Sequence, residues 1–176
     1  MKIITWNVRG LTAPNKQRIL KHCISDSKPD IMLIQETKMN SSEIVLFEKK
    51  LGVRQLKHSP AIGASGGLAI IWDSRFISFT PLEIKQNWMG GEVVSYKNNL
   101  RFKLINVYGP IQNRDKARVW VELESFLRSF PNDVCIIGGD FNAIAKVADK
   151  RGGSNKLPPA AIDFNHWINR NSLLEI

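Results

Sequence analysis

Val134-Cys135-Ile136-Ile137-Gly138-Gly139-Asp140-Phe141-Asn142 is the stretch from which the fold is read. Four apolar residues followed by two glycines predict a buried strand ending in a tight turn, with the glycines supplying positive φ. The turn then carries a carboxylate, Asp140, and a carboxamide, Asn142, to the mouth of a sheet. The same arrangement recurs upstream. Ile3-Ile4-Thr5-Trp6-Asn7 is a short apolar strand ending in Asn7, Ile31-Met32-Leu33-Ile34-Gln35-Glu36 is one ending in Glu36, and Leu104-Ile105-Asn106-Val107-Tyr108 is one ending in Tyr108. Singly, each has an ordinary explanation, such as a turn former or a half-buried amphipath. Together they are what a sheet-based active site needs, because strands fix the backbone and leave the terminal side chains free to converge.

The rest of the chain alternates between helical and extended patterning. A helix is expected from Pro14 to about Ser27, with Ile19, Cys23 and Ile24 as its apolar stripe. A second runs from a cap at Ser41 or Ser42 through Leu51, burying Ile44, Val45, Phe47 and Leu51. Residues 68–72, 75–84, 91–96 and 101–107 read as neighbouring antiparallel strands, with Asn98-Asn99 as a turn. Helical spacing returns at 114–130, where Ala117, Trp120, Leu123, Leu127 and Phe130 share a face. Pro158-Pro159 opens one more helix, with Ile162, Trp167 and Ile168 inward. Strand meanders mixed with helices define an α/β chain with more than one sheet.

Composition narrows the function classes. The 176 residues fit a single domain, 1–176, and 43% apolar residues supply a substantial core. Lys and Arg number 25 against 16 Asp and Glu, so the formal charge of +9 favours polyanionic partners. Cys23 and Cys135 suggest neither a disulfide scaffold nor a zinc site, and no stretch has the length needed to cross a bilayer. A nuclear or cytoplasmic setting without membrane association follows as the expectation.

In this order, Trp6-Asn7-Val8, Gln35-Glu36-Thr37, Asn106-Val107-Tyr108-Gly109-Pro110 and Gly138-Gly139-Asp140-Phe141-Asn142 resemble the endonuclease/exonuclease/phosphatase superfamily. Thr5-Trp6-Asn7-Val8-Arg9-Gly10-Leu11 and Ser65-Gly66-Gly67-Leu68-Ala69-Ile70-Ile71-Trp72 are most similar to the endonuclease domain of plant LINE-type (non-LTR) retrotransposons. The resemblance implies two mixed β-sheets packed face to face with outer helices, a four-layer α/β sandwich, and an active site at one end. It also implies a C-terminal pair of strands, with an Asp-containing motif and a terminal Ser-Asp-His, that this sequence does not contain. Leu173-Leu174-Glu175-Ile176 resembles the start of the first, so the fold is expected to lack its last strands. Loss of a second carboxylate and an imidazole would cost about 10²–10⁴ in rate.

The chemistry these residues allow is phosphodiester hydrolysis. Glu36 is the best placed ligand for Mg²⁺, with Mn²⁺ as substitute, because a hard cation prefers oxygen donors and keeps most of its waters. Asn7 lies beside the metal in the resembling family. Asp140 is suited to orient or deprotonate the attacking water, Asn142 to donate to a phosphorane oxygen, and Tyr108 to do the same or help the leaving group. The sequence leaves the division among Asp140, Tyr108 and a histidine open, and His22, His58 and His166 follow none of the four strands. Candidate DNA-backbone contacts are Arg9, then Arg114, Lys116 and Arg118, then Lys146, Lys150 and Arg151. Ser65-Gly66-Gly67 lacks the Lys-Ser/Thr of a phosphate loop and reads as a turn. The expected protein is a DNA-nicking endonuclease that needs no small-molecule cofactor. Its alternatives are an inactive nucleic-acid-binding remnant and another phosphoesterase of the superfamily, an abasic-site endonuclease or an inositol or lipid phosphatase.

Overall fold

The computed structural model describes residues 1–63, 65–149 and 156–176. These form two compact units: residues 1–108 with 133–140, and residues 109–132 with 141–176.

The first unit holds two four-stranded mixed sheets. One contains β1 (Ile3–Asn7), β2 (Ile31–Gln35), β3 (Arg54–Ser59) and β4 (Leu68–Asp73) in the order β1-β2-β4-β3, with β1 and β2 parallel and the other pairs antiparallel. The other contains β5 (Ile77–Ile84), β6 (Trp88–Ser95), β7 (Arg101–Tyr108) and β8 (Cys135–Asp140), consecutive in space, with only the β7–β8 pair parallel. Alternation along β2 explains how the sheets pack. Ile31 and Leu33 join Leu68, Ile70 and Trp72 of β4 and Phe79, Met89, Val93, Phe102 and Leu104 of the second sheet in one buried cluster. Met32 and Ile34 point the other way, into a second cluster with α1 (Pro14–Ser27) and α2 (Ser41–Glu48) through Leu20, Ile44 and Phe47. A strand apolar on both faces, as β2 is, must be covered on both.

The second unit contains α3 (Asn113–Arg128), a short 3-10 turn (Val147–Asp149) and α4 (Pro159–Arg170). Trp120, Phe141, Phe164 and Trp167 form its aromatic centre, with ring centroids 5.1–6.3 Å apart, and the Trp167 indole donates to the Trp120 carbonyl at 3.0 Å. Among the described residues no helix is long and apolar enough to cross a membrane.

Several local expectations are corrected. The cap of α2 is Asn40, which forms a reciprocal capping box with Glu43, rather than either serine. Val45 is exposed, and in α1 the wholly buried residue is Leu20 while Ile19 is exposed. The buried stripe of α3 is Lys116, Val119, Trp120, Leu123, Glu124 and Phe126, and α4 turns Ala161, Phe164 and Trp167 inward, leaving Ile162 exposed. β3 escaped the sequence reading because Leu56 is its one apolar side chain; its identity comes from pairing with β4. β8 is half-buried along its length rather than buried.

Leu33 sits at the centre of the inter-sheet cluster and touches the space in front of Gly138. Leu33→Ala is expected to cost about 2–5 kcal/mol, measured by urea unfolding of the two proteins side by side.

Candidate active site

Parallel pairing of β1 with β2 and of β7 with β8 puts the C-terminal ends of each pair at the same edge. Asn7 lies in register with Gln35, so Glu36 begins one residue past it, and Tyr108 lies in register with Asp140. The two sheets meet at these ends. The Asn7 carboxamide donates to Asp140 Oδ2 at 2.7 Å, linking the last residue of β1 to the last residue of β8. Asn7 Oδ1 in turn accepts the Arg9 backbone N–H at 3.0 Å, which fixes the carboxamide with its N–H toward the carboxylate. Asp140 thereby has one carboxylate oxygen fixed as a hydrogen-bond acceptor.

Glu36 adopts φ +58°, a left-handed conformation uncommon outside glycine. Its carbonyl accepts from Gly10 N at 2.7 Å and the next carbonyl, of Thr37, accepts from Leu11 N at 2.8 Å, so the loop after β1 holds the turn. Ser65-Gly66-Gly67 buttresses it from another direction. Thr37 N and Lys38 N donate to the carbonyls of Gly67 and Gly66 at 3.0 and 3.1 Å, and a Cβ on Gly67 would stand 2.3 Å from Thr37 Oγ1. The triplet is not itself a turn: Ser65 bridges Ile62, and Gly66 and Gly67, both at positive φ, lead from that bridge into β4 and support the metal-ligand candidate. The Glu36 carboxylate, 16% exposed, pairs with the Lys38 ammonium at 3.1 Å. Tyr108 is clipped through its backbone, its N–H donating to Asn87 O at 2.8 Å and its carbonyl accepting from Asn87 Nδ2 at 3.0 Å.

Gly138-Gly139 is not a turn, because both residues belong to β8. Gly138 is required by proximity, since a Cβ there would lie 2.7 Å from Leu33 Cδ1 across the inter-sheet space. Gly139 has φ +143°, and a Cβ would stand 2.0 Å from Val107 O on the neighbouring strand. Gly138 lets the two sheets close together just behind Asp140, while Gly139 lets β8 lie against its own neighbour β7.

Beneath the site lies a polar network that the sequence reading passed over. Gln35 and Asn106 are 1% and 0% exposed. Gln35 Nε2 donates to Asn106 Oδ1 at 2.6 Å and to Thr5 Oγ1 at 3.0 Å, while Asn106 Nδ2 donates to the carbonyls of Ile34 and Ala69, both at 3.0 Å. The signal available in sequence was a polar residue, Gln35 or Asn106, at an inward position within an apolar run, 31–35 or 104–107.

The second unit holds the remaining described candidates. Asn142, at φ +47°, donates from Nδ2 to Gly109 O at 2.8 Å. The Arg114 side chain is 80% exposed and approaches Asp115 at 4.0 Å. Lys116, grouped with it in the sequence reading, is buried and bonded to Asn142 O. Arg9, in the first unit, is exposed. Lys150 and Arg151 lie outside the described residues. Among the histidines, His22 is on α1, His58 on β3 and His166 on α4; burial pushes the His58 imidazole below its usual pKa.

Two mixed sheets with Asn, Glu, Tyr and Asp gathered at their strand ends define the phosphoesterase-type α/β fold. The chain belongs to the Endonuclease/Exonuclease/phosphatase family, whose profile matches residues 4–170. Among solved structures it is similar to the endonuclease domain of TRAS1, a telomere-specific non-LTR retrotransposon (TM-score 0.74, 15% identity, 97% of this chain and 71% of that one). It is similar also to the AP endonuclease LMAP from Leishmania major (TM-score 0.77, 18% identity, 97% and 66%). A third is the 3' phosphatase NExo from Neisseria bound to a product DNA hairpin (TM-score 0.65, 20% identity, 85% and 60%). The chain thus spans between 60% and 71% of the lengths of these three proteins.

Asn106→Ala strips partners from the Gln35 amide and from two buried carbonyls, and each orphaned group costs about 1–3 kcal/mol. The double variant Gln35→Leu with Asn106→Leu removes the amides from both sides and is expected to unfold at a higher urea concentration than Asn106→Ala.

Proposed function

We propose that this chain is a metal-dependent phosphodiesterase that nicks DNA, the endonuclease of a LINE-type retroelement. The observation that carries the reading is the 2.7 Å bond from Asn7 to Asp140. It brings the ends of β1 and β8, from different sheets, together at one place, with Tyr108 in register beside Asp140 and Glu36 one residue past the partner of Asn7. The retroelement assignment is supported by the wording of Trp6 to Gly10 and Ser65 to Trp72 and by the likeness to the TRAS1 domain. DNA as substrate is supported by the charge of +9 and by the DNA hairpin bound in the Neisseria neighbour.

The residues at the strand ends fit a hard divalent cation, Mg²⁺ or Mn²⁺. Glu36 offers a largely buried carboxylate, now paired with the Lys38 ammonium that a bound cation would displace, and Asn7 adds a neutral oxygen donor. Among the described residues no three His, Cys, Asp or Glu side chains cluster as a ligand set, so Glu36 and Asn7 would be joined by waters around the ion. When bound, such an ion supplies Lewis-acid polarisation of a phosphoryl oxygen and offsets the developing negative charge.

The chain supplies the rest. Asp140, held by Asn7, orients the attacking water and takes up its proton. The Tyr108 hydroxyl donates to a non-bridging or leaving oxygen. In the second unit, the Asn142 carboxamide takes the part that its match to the family's motif implies, a donor to the phosphorane. Arg9 and Arg114 are exposed cations for the flanking phosphates.

Supercoiled plasmid incubated in low salt with Mg²⁺ is expected to become nicked by the native chain, while Glu36→Gln and Asp140→Asn lose about 10²–10⁴ in rate without loss of fold. Equal rates in the variants would remove these residues from the site. Salt-sensitive DNA binding without nicking would instead establish the binding remnant.

A further inference from the structure

Lys116 stands apart from the other cations of its helix. Arg114 and Arg118 hold their side chains 80% and 64% exposed, whereas Lys116, between them in sequence, is 7% exposed. Lysines are almost never buried without a partner that compensates for lost hydration. The partner of Lys116 is a neutral one, the backbone carbonyl of Asn142, which accepts from Nζ. Burial pushes the Lys116 pKa below the usual lysine value. An apolar side chain of the same length would avoid the penalty of burial but would take the donor from the Asn142 carbonyl, so the place of the ammonium is tied to Asn142.

Asn142 sits at φ +47°, a conformation that asparagine adopts more readily than most side chains yet which has to be held. Its carboxamide donates to Gly109 O, and Gly109 is pressed so closely on the chain before Asn142 that a Cβ would lie 2.1 Å from Phe141 O. On the other side, the Asn142 carbonyl is held by Lys116. One helical turn on from Lys116, Trp120 stacks against Trp167 at 5.1 Å and accepts its indole N–H, so the ammonium is mounted on a fixed helix.

We propose that Lys116 is a positioning residue, which clamps the Asn142 peptide in its left-handed turn and so sets the direction of the Asn142 carboxamide. This rests on the reading of Asn142 as a donor to the phosphorane; Lys116 itself touches no substrate. A clamp of this kind acts on the transition state, because misplacement of a donor by about 1 Å can cost 10²-fold in rate.

The test compares Lys116→Met, Asn142→Ala and the double variant. Lys116→Met is expected to melt close to the native temperature, because relief of the buried ammonium offsets loss of the donor to the Asn142 carbonyl, yet to nick plasmid on the order of 10- to 100-fold more slowly in kcat with KM unchanged. In the Asn142→Ala background it should add nothing, since its effect passes through Asn142. Additive losses, or a native rate in Lys116→Met, would overturn the clamp. A second readout needs no catalysis: in ¹⁵N spectra the Asn142 side-chain amide should shift and exchange faster with solvent in Lys116→Met. An unchanged amide signal would overturn the proposal even in a fully active protein. A native chain that cuts nothing, but whose Asn142 amide responds to Lys116→Met, would refute the nuclease reading and leave the clamp standing.

Discussion

The 2.6 Å hydrogen bond from Gln35 to Asn106 crosses the space between the two sheets, and the site above depends on it. Apolar side chains alone leave sheets free to slide, because dispersion and the hydrophobic effect have little directional preference. Two buried carboxamides do not, since each displaced N–H or carbonyl would be orphaned in a dry interior. Asn106 adds bonds to the carbonyls of Ile34 and Ala69, so one residue of the second sheet addresses two strands of the first. Among the described residues no buried side-chain nitrogen or oxygen lacks a partner, so the network is complete. Its reach into function is short. Glu36 is the residue after Gln35, and Tyr108 shares the inward face of β7 with Asn106 two residues away.

Where the strands end, the backbone leaves ordinary conformations. Arg9, Glu36, Lys38 and Asn142 all have positive φ without being glycine. Such conformations carry a cost and persist only where surrounding bonds over-determine them. Here those bonds can be named. Gly10 and Leu11 hold the Glu36 turn, Gly66 and Gly67 hold Thr37 and Lys38, and Gly109 and Lys116 hold Asn142. Placing polar side chains at the mouth of a sheet requires the chain to turn sharply at the end of each strand, and strain at these positions is the consequence.

The charge distribution fits the same division of labour. Lys103, 6% exposed, joins Glu92 at 2.8 Å and Asp133 at 3.0 Å, a structural pairing that fastens the approach to β8 and raises the lysine pKa. Arg9, Arg114 and Arg118 remain exposed and contribute to the field that a polyanion would meet. Net charge read from the sequence does not separate these uses. Burial does.

The identity of β1, β2, β7 and β8 and of their four strand-end residues was legible in sequence because each rests on a local pattern: an apolar run of strand length followed closely by Asn7, Glu36, Tyr108 or Asp140. The helices were legible for the same reason, although their faces were misread by a residue or so, as with Ile19 against Leu20 and Ala117 against Lys116. Periodicity fixes that a stripe exists; the neighbouring element selects its centre. Only tertiary structure decided what depends on contact across the fold. Register with β4 makes a strand of the polar segment Arg54–Ser59. Gly138 owes its identity to Leu33, 105 positions earlier in the chain, rather than to a turn. Gln35 and Asn106, separated by 71 positions, form one bridge, and Lys116 is buried against the Asn142 carbonyl while Arg114 and Arg118 are surface cations. Each of these roles is set by a partner remote in sequence, and no local pattern contains that partner.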